Sequence, residues 1–118
     1  KYCVKDKAGN ITSDMVVIDK IDGVILLGSY PASSTDLSTT DLKVLSLYAE
    51  FDGLSTEEKI FNKAENLPGN TIYTKISGGN HAQFGIYGDQ SGDLEATISV
   101  IDQQNQMVEY TLVFLNEQ

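Results

Sequence analysis

Two unbroken apolar runs decide what this chain can fold into. Val24-Ile25-Leu26-Leu27 is closed by Gly28 and a Pro31 turn, and Lys43-Val44-Leu45-Ser46-Leu47-Tyr48-Ala49 is the second. Neither alternates polar with apolar residues, so neither can turn one face to water. Runs of this kind suit strands covered on both sides, as in the parallel sheets of α/β proteins.

A helix is expected after the second run. Ser55 and Glu58 have capping-box spacing, and Ile60, Phe61, Ala64 and Leu67 then fall on one helical face. Pro68-Gly69-Asn70 stops it, and Thr71-Ile72-Tyr73-Thr74-Lys75-Ile76 reads as another strand. Strand, helix and strand over about 35 residues make a βαβ unit with a right-handed crossover. Parallel strands are therefore expected near residues 23–28, 43–49 and 71–77.

The stretch from Ser77 to Ser99 is a polar loop holding Gly78, Gly79, Gly85, Gly88 and Gly92. A loop of this length is usually functional or disordered. Ser99 with Asp102 then opens a last helix, on which Met107, Thr111 and Leu115 stack with Val108 and Leu112 beside them. That stripe reads as core packing. Residues 1–19 differ: Tyr2 and Val4, a Gly9-Asn10 turn, then Met15-Val16-Val17-Ile18 describe a hairpin. The expected organisation is a hairpin-like segment over 1–19 and an α/β unit over 20–118.

With 118 residues there is room for one compact domain, and 41% hydrophobic with 21% charged residues is an ordinary globular balance. The net charge of −9 would repel phosphate backbones and anionic lipid, which argues against nucleic-acid partners. No apolar run is long enough to span a bilayer. The single cysteine cannot form an internal disulfide, and no Cys/His pair has zinc spacing. No signal peptide stands at Lys1, which says nothing about export.

Histidine-dependent chemistry has one address, because His81 is the only histidine. It follows the third expected strand, in Gly78-Gly79-Asn80-His81-Ala82-Gln83-Phe84-Gly85, and Asp52 follows the second, in Ala49-Glu50-Phe51-Asp52-Gly53-Leu54. Open α/β sheets carry their sites beyond the carboxyl ends of the strands, so adjacent strands would bring both residues to one rim. An aspartate bonded to one imidazole nitrogen fixes the tautomer and supports the imidazolium formed in catalysis. The bland alternative is a surface aspartate and a histidine bonded within a glycine-rich turn.

At these residues the chain resembles the α/β-hydrolases, whose triad runs Ser…Asp…His along the chain. It is most similar to a bacterial subgroup carrying Gly78–Gly85 as it stands here, then Tyr87-Gly88, Gln90, Gly92-Asp93, Ile98-Ser99 and Gln103-Gln104. Asp22–Tyr30 resembles the sixth strand of that fold. The resemblance covers residues 20–118, about five-sixths of the chain. It implies the C-terminal portion of an α/β-hydrolase sheet, with Asp52 and His81 as the triad acid and base. It implies a small ester-like substrate, and neither metal nor cofactor.

The nucleophile elbow, Gly-x-Ser-x-Gly, occurs nowhere in the 118 residues. Gly28-Ser29 and Ser91-Gly92 have one glycine each and lack the second. Ser29, near the rim of the first strand, is the only serine placed to substitute. Residues 1–19, with Val4-Lys5-Asp6-Lys7-Ala8-Gly9-Asn10, resemble instead the closing strands of bacterial immunoglobulin-like repeats, a short resemblance that is compatible with an exported or cell-surface parent and leaves the localisation open. Cys3, in a strand-like Tyr2-Cys3-Val4, reads as a small buried hydrophobe rather than a nucleophile. Asp89 and Asp93 lack the alternating ligands of a calcium loop and read as solvated carboxylates. Asn10-Ile11-Thr12 fits a glycosylation sequon, a pattern frequent by chance.

Two functions of different class follow. One is the C-terminal part of a serine-type carboxylic-ester hydrolase, supplying acid and base while the nucleophile lies outside this chain. The other is a non-catalytic surface-protein module. An incomplete sheet would also expose a strand edge, so a homodimer through that edge, or cover of it by residues 1–19, is expected.

Overall fold

The β-prone runs form one parallel sheet. The computed structural model describes residues 21–117; the expected hairpin of residues 1–19, with Cys3 and the Asn10 sequon, lies outside them. Strands β1 (Gly23–Leu27), β2 (Lys43–Ala49) and β3 (Ile72–Ile76) lie in the order β1-β2-β3. Val24 pairs with Val44, Leu27 with Leu47, Leu45 with Ile72 and Ala49 with Ile76. Helix α1 (Glu57–Asn62) lies between β2 and β3, and α2 (Val100–Asn116) closes the chain.

Successive strand residues point to opposite faces, and the core divides accordingly. Leu45, Leu47 and Ile76 pack with Met107 and Phe114 of α2. Val44 points the other way and packs with Leu37, Leu42 and Leu67. On that second face Phe61 of α1 meets Tyr48 edge-on, with ring centroids 5.4 Å apart, and Tyr73 at 4.9 Å. Helices on both faces make the sheet the middle of three layers, as its apolar strands require. Leu47 and Ile76 are each 0% exposed, and truncating either to alanine would cost about 2–5 kcal/mol. Against a typical domain stability of about 5–15 kcal/mol, one such change is a large fraction of the total. Among the described residues β1 has a strand partner on one side only, and no helix is long and apolar enough to cross a membrane.

Two local expectations are corrected. Helix α1 is capped by Thr56, whose Oγ1 accepts the Lys59 N–H, and not by Ser55. The helix begins at Glu57, which puts Thr56 and not Ser55 at the position directly before its first turn. On α2 the buried stripe is Gln103, Met107 and Phe114, with Tyr110 partly buried beside it. Val108, Leu112 and Leu115 are more than half exposed. The Ser99 cap is as expected, its Oγ accepting the Asp102 N–H at 3.1 Å. The polar loop between β3 and α2 is ordered by a single 3₁₀ turn, Ala82–Phe84, and by Gly78. At φ +81° Gly78 adopts a conformation that side chains resist, and its carbonyl accepts the N–H groups of Thr97 and Ile98.

Candidate active site

The loops that leave β2 and β3 are tied together at their roots. Phe51 N–H donates to the Gly79 carbonyl at 2.8 Å, and Gly78 N–H donates to the Glu50 carboxylate at 2.9 Å. Asp52 is thereby buried to 3% exposure at the carboxyl end of the sheet. Its Oδ1 accepts the N–H groups of Leu54 at 2.8 Å and Ser55 at 2.6 Å, a turn that the aspartate makes for itself. With Oδ1 occupied and the rotamer held, Oδ2 faces one partner. That partner is His81, whose Nδ1 stands 2.8 Å away.

His81 sits just before the 3₁₀ turn with helical backbone angles, φ −65° and ψ −47°. The next turn bonds back to it, Phe84 N–H donating to the His81 carbonyl at 3.1 Å. Its side chain keeps 27% exposure while that of Asp52 has none. A carboxylate can only accept, so a neutral ring held by the 2.8 Å contact carries its proton on Nδ1 and has its lone pair on Nε2. Among the described residues Nε2 has no hydrogen-bond partner. An imidazole so oriented can take a proton at Nε2, and the buried carboxylate stabilises the resulting cation.

Asp93 is not the solvated carboxylate that the sequence implies. Its Oδ1 accepts the N–H groups of Gly53 at 3.0 Å, His81 at 3.2 Å and Leu94 at 3.0 Å, and its Oδ2 accepts that of Ala82 at 2.9 Å. Burial pushes the carboxyl upward, but the four backbone donors outweigh it and hold the group below the usual carboxylate range. Asp89 is exposed. Both aspartates line an open polar cleft with Asn80, Gln83, Gln90 and Glu95; His81 is not among its walls.

Sequence reasoning placed Asp52 and His81 and missed what holds them. Gln103 of α2, 0% exposed, bonds the main chain of Asn80 and the side chain of Gln83. Gln104 donates to the Gln83 carbonyl at 2.7 Å. The Gln103-Gln104 pair belongs to the pattern on which the family resemblance rests, and that pattern is its one signal in the sequence. Ser29 follows Gly28 at the end of β1 and is half-buried. No hydrogen bond joins it to His81 among the described residues. Those residues contain no cluster of three or more His, Cys, Asp or Glu able to hold a metal ion.

Comparison with known proteins agrees with this architecture. No curated protein and no solved structure gives a significant match. A sequence model of the alpha/beta hydrolase family matches residues 6–105, most of the chain and all three strands, including the loops that carry Asp52 and His81. With a parallel sheet flanked by helices, the chain belongs to the alpha/beta hydrolase family.

Proposed function

We propose that this chain is the C-terminal part of a serine-type carboxylic-ester hydrolase, in which Asp52 and His81 are the acid and base of the catalytic triad. The observation that carries the reading is the 2.8 Å contact between His81 Nδ1 and the fully buried Asp52 Oδ2. Membership of the family supports it. In this reading His81 Nε2 removes the proton of a serine hydroxyl as that oxygen attacks an ester carbonyl. It then returns the proton to the departing alcohol, and Asp52 holds the ring through both steps. The serine and the donors for the developing oxyanion lie outside these 118 residues, which hold no Gly-x-Ser-x-Gly. The substrate class is a small ester.

The test is an activated-ester assay with a serine-directed phosphonate probe read by mass spectrometry. It is run on this chain and on the longest reading frame that contains it. The chain alone is expected to be inactive and unlabelled. The longer protein is expected to hydrolyse the ester, to be labelled on one serine, and to lose both properties in His81→Ala. Stoichiometric labelling of a serine within this chain, lost on His81→Ala, would overturn the placement of the nucleophile. A longer protein without ester hydrolysis would overturn the function.

A further inference from the structure

We infer that Asp93 is a positioning residue for the Asp52–His81 pair: its carboxylate fastens together the two loops that carry them. The inference rests on the reading of that pair as acid and base. Asp93 lies 40 residues from Gly53 and 12 from His81, yet it accepts the backbone N–H of each, and those of Ala82 and Leu94 as well. Gly53 is the residue after Asp52. One carboxylate therefore bonds the main chain directly beside the acid and at the base itself.

The approach is main chain on main chain. A Cβ at position 53 would overlap the Gly92 carbonyl oxygen and reach 3.0 Å from Asp93 Cα. Gly92 itself has φ +87°. Two glycines thus let the Asp93 loop lie against the Asp52 loop with no side chain between. The other ties, from Phe51 to Gly79 and from Gly78 to Glu50, join the loops at their roots, on the strand side of the reacting groups and two or three residues before His81. Without Asp93 the roots would stay joined, while Gly53, His81 and Ala82 would each lose a charge-assisted acceptor. The 2.8 Å contact depends on both loops at once, so slack in either one shows at the imidazole.

The experiment uses nitrogen-15 NMR of this chain, in which the only imidazole signal belongs to His81. In the neutral ring of the unsubstituted chain, Nδ1–H should be preferred by about tenfold or more, the ratio expected of one hydrogen bond to a charged group. Asp52→Asn should abolish that preference. Asp93→Ala and Asp93→Asn should each reduce it by at least about threefold, at temperatures where circular dichroism shows the fold intact. Loss of stability with an unchanged tautomer ratio would mean that Asp93 is only a structural tie, and would overturn the inference while leaving the pair intact. A ratio unmoved by Asp52→Asn would overturn the pair, and the inference with it. If neither Asp93 variant folds, the residue serves the fold as a whole and the positioning role is likewise overturned. In the active parent protein, the same variants should lower kcat with KM little changed.

Discussion

The side-chain amide of Gln103 and the main chain of Asn80 bond each other in both directions. Asn80 N–H donates to Gln103 Oε1 at 3.1 Å, and Gln103 Nε2 donates to the Asn80 carbonyl at 2.9 Å. The helix thus completes, with one fully buried side chain, the hydrogen bonding of the residue that precedes His81. Gly79 lies against the same amide so closely that a Cβ there would come within 2.6 Å of Oε1. Glycine at 79 and glutamine at 103 form one packing unit.

Replacing Gln103 by leucine keeps the volume and strands both groups of Asn80. Each unsatisfied buried group costs about 1–3 kcal/mol, so the variant should lose about 2–5 kcal/mol. Urea unfolding followed by circular dichroism would measure this through the shift in midpoint. A change within about 0.5 kcal/mol would mean that water replaces the amide.

Asp52→Asn should leave the fold intact and the chemistry impaired. The asparagine oxygen can still accept the N–H groups of Leu54 and Ser55, so the turn survives. The amide nitrogen then faces His81 Nδ1 as a donor, which forces the opposite ring tautomer. In the complete enzyme turnover should fall by about 10⁴-fold, with the urea midpoint of this chain nearly unchanged. Equal losses of activity and stability would argue for a merely structural contact.

The depressed titration of Asp93 makes the fold sensitive to acid. Its native carboxyl titrates below the ordinary range, so in the window between the two values the unfolded chain binds more protons. Stability then falls as the pH falls. The contribution is fully present above the ordinary aspartate value of about 4 and is lost below it. The unsubstituted chain should lose stability more steeply between about pH 5 and pH 3 than Asp93→Asn does. Parallel pH profiles of the urea midpoint for the two proteins would contradict the four-bond assignment.

The outer row of α2 offers a test of self-association. Val108 and Leu112 border an apolar hollow with Ile25 and Leu27 of β1, and Leu27, Val108, Leu112 and Leu115 are 40–58% exposed. A second copy of the chain would cover this row beside the edge of β1 that has no strand partner among the described residues. Light scattering should give a dimer mass that falls to that of the monomer in Leu112→Asp. A monomer for the unsubstituted chain would refute the interface.

Much of this protein is decided by the sequence alone, because the determining forces act over a few residues. Strands doubly covered by apolar neighbours require uninterrupted runs, and Val24–Leu27 and Lys43–Ala49 declare themselves. A cap needs a hydroxyl three residues before an amide, so Ser99 could be read directly. Asp52 and His81 were legible because parallel topology sends the ends of neighbouring strands to one rim. Other features were settled only by the tertiary structure. Helix α2 carries apolar residues around more than one face, and contact with Leu45, Leu47 and Ile76 selects Met107 and Phe114 as the buried stripe. Ser55 and Thr56 are equivalent as local caps in the sequence, and the folded chain starts the helix at Glu57 with Thr56 directly before it. Asp93 looks like any loop carboxylate until the folded chain presents it with four backbone donors, three of them from sites 11–40 residues away. Such bonds join segments whose proximity is a product of the sheet, and no local pattern encodes them.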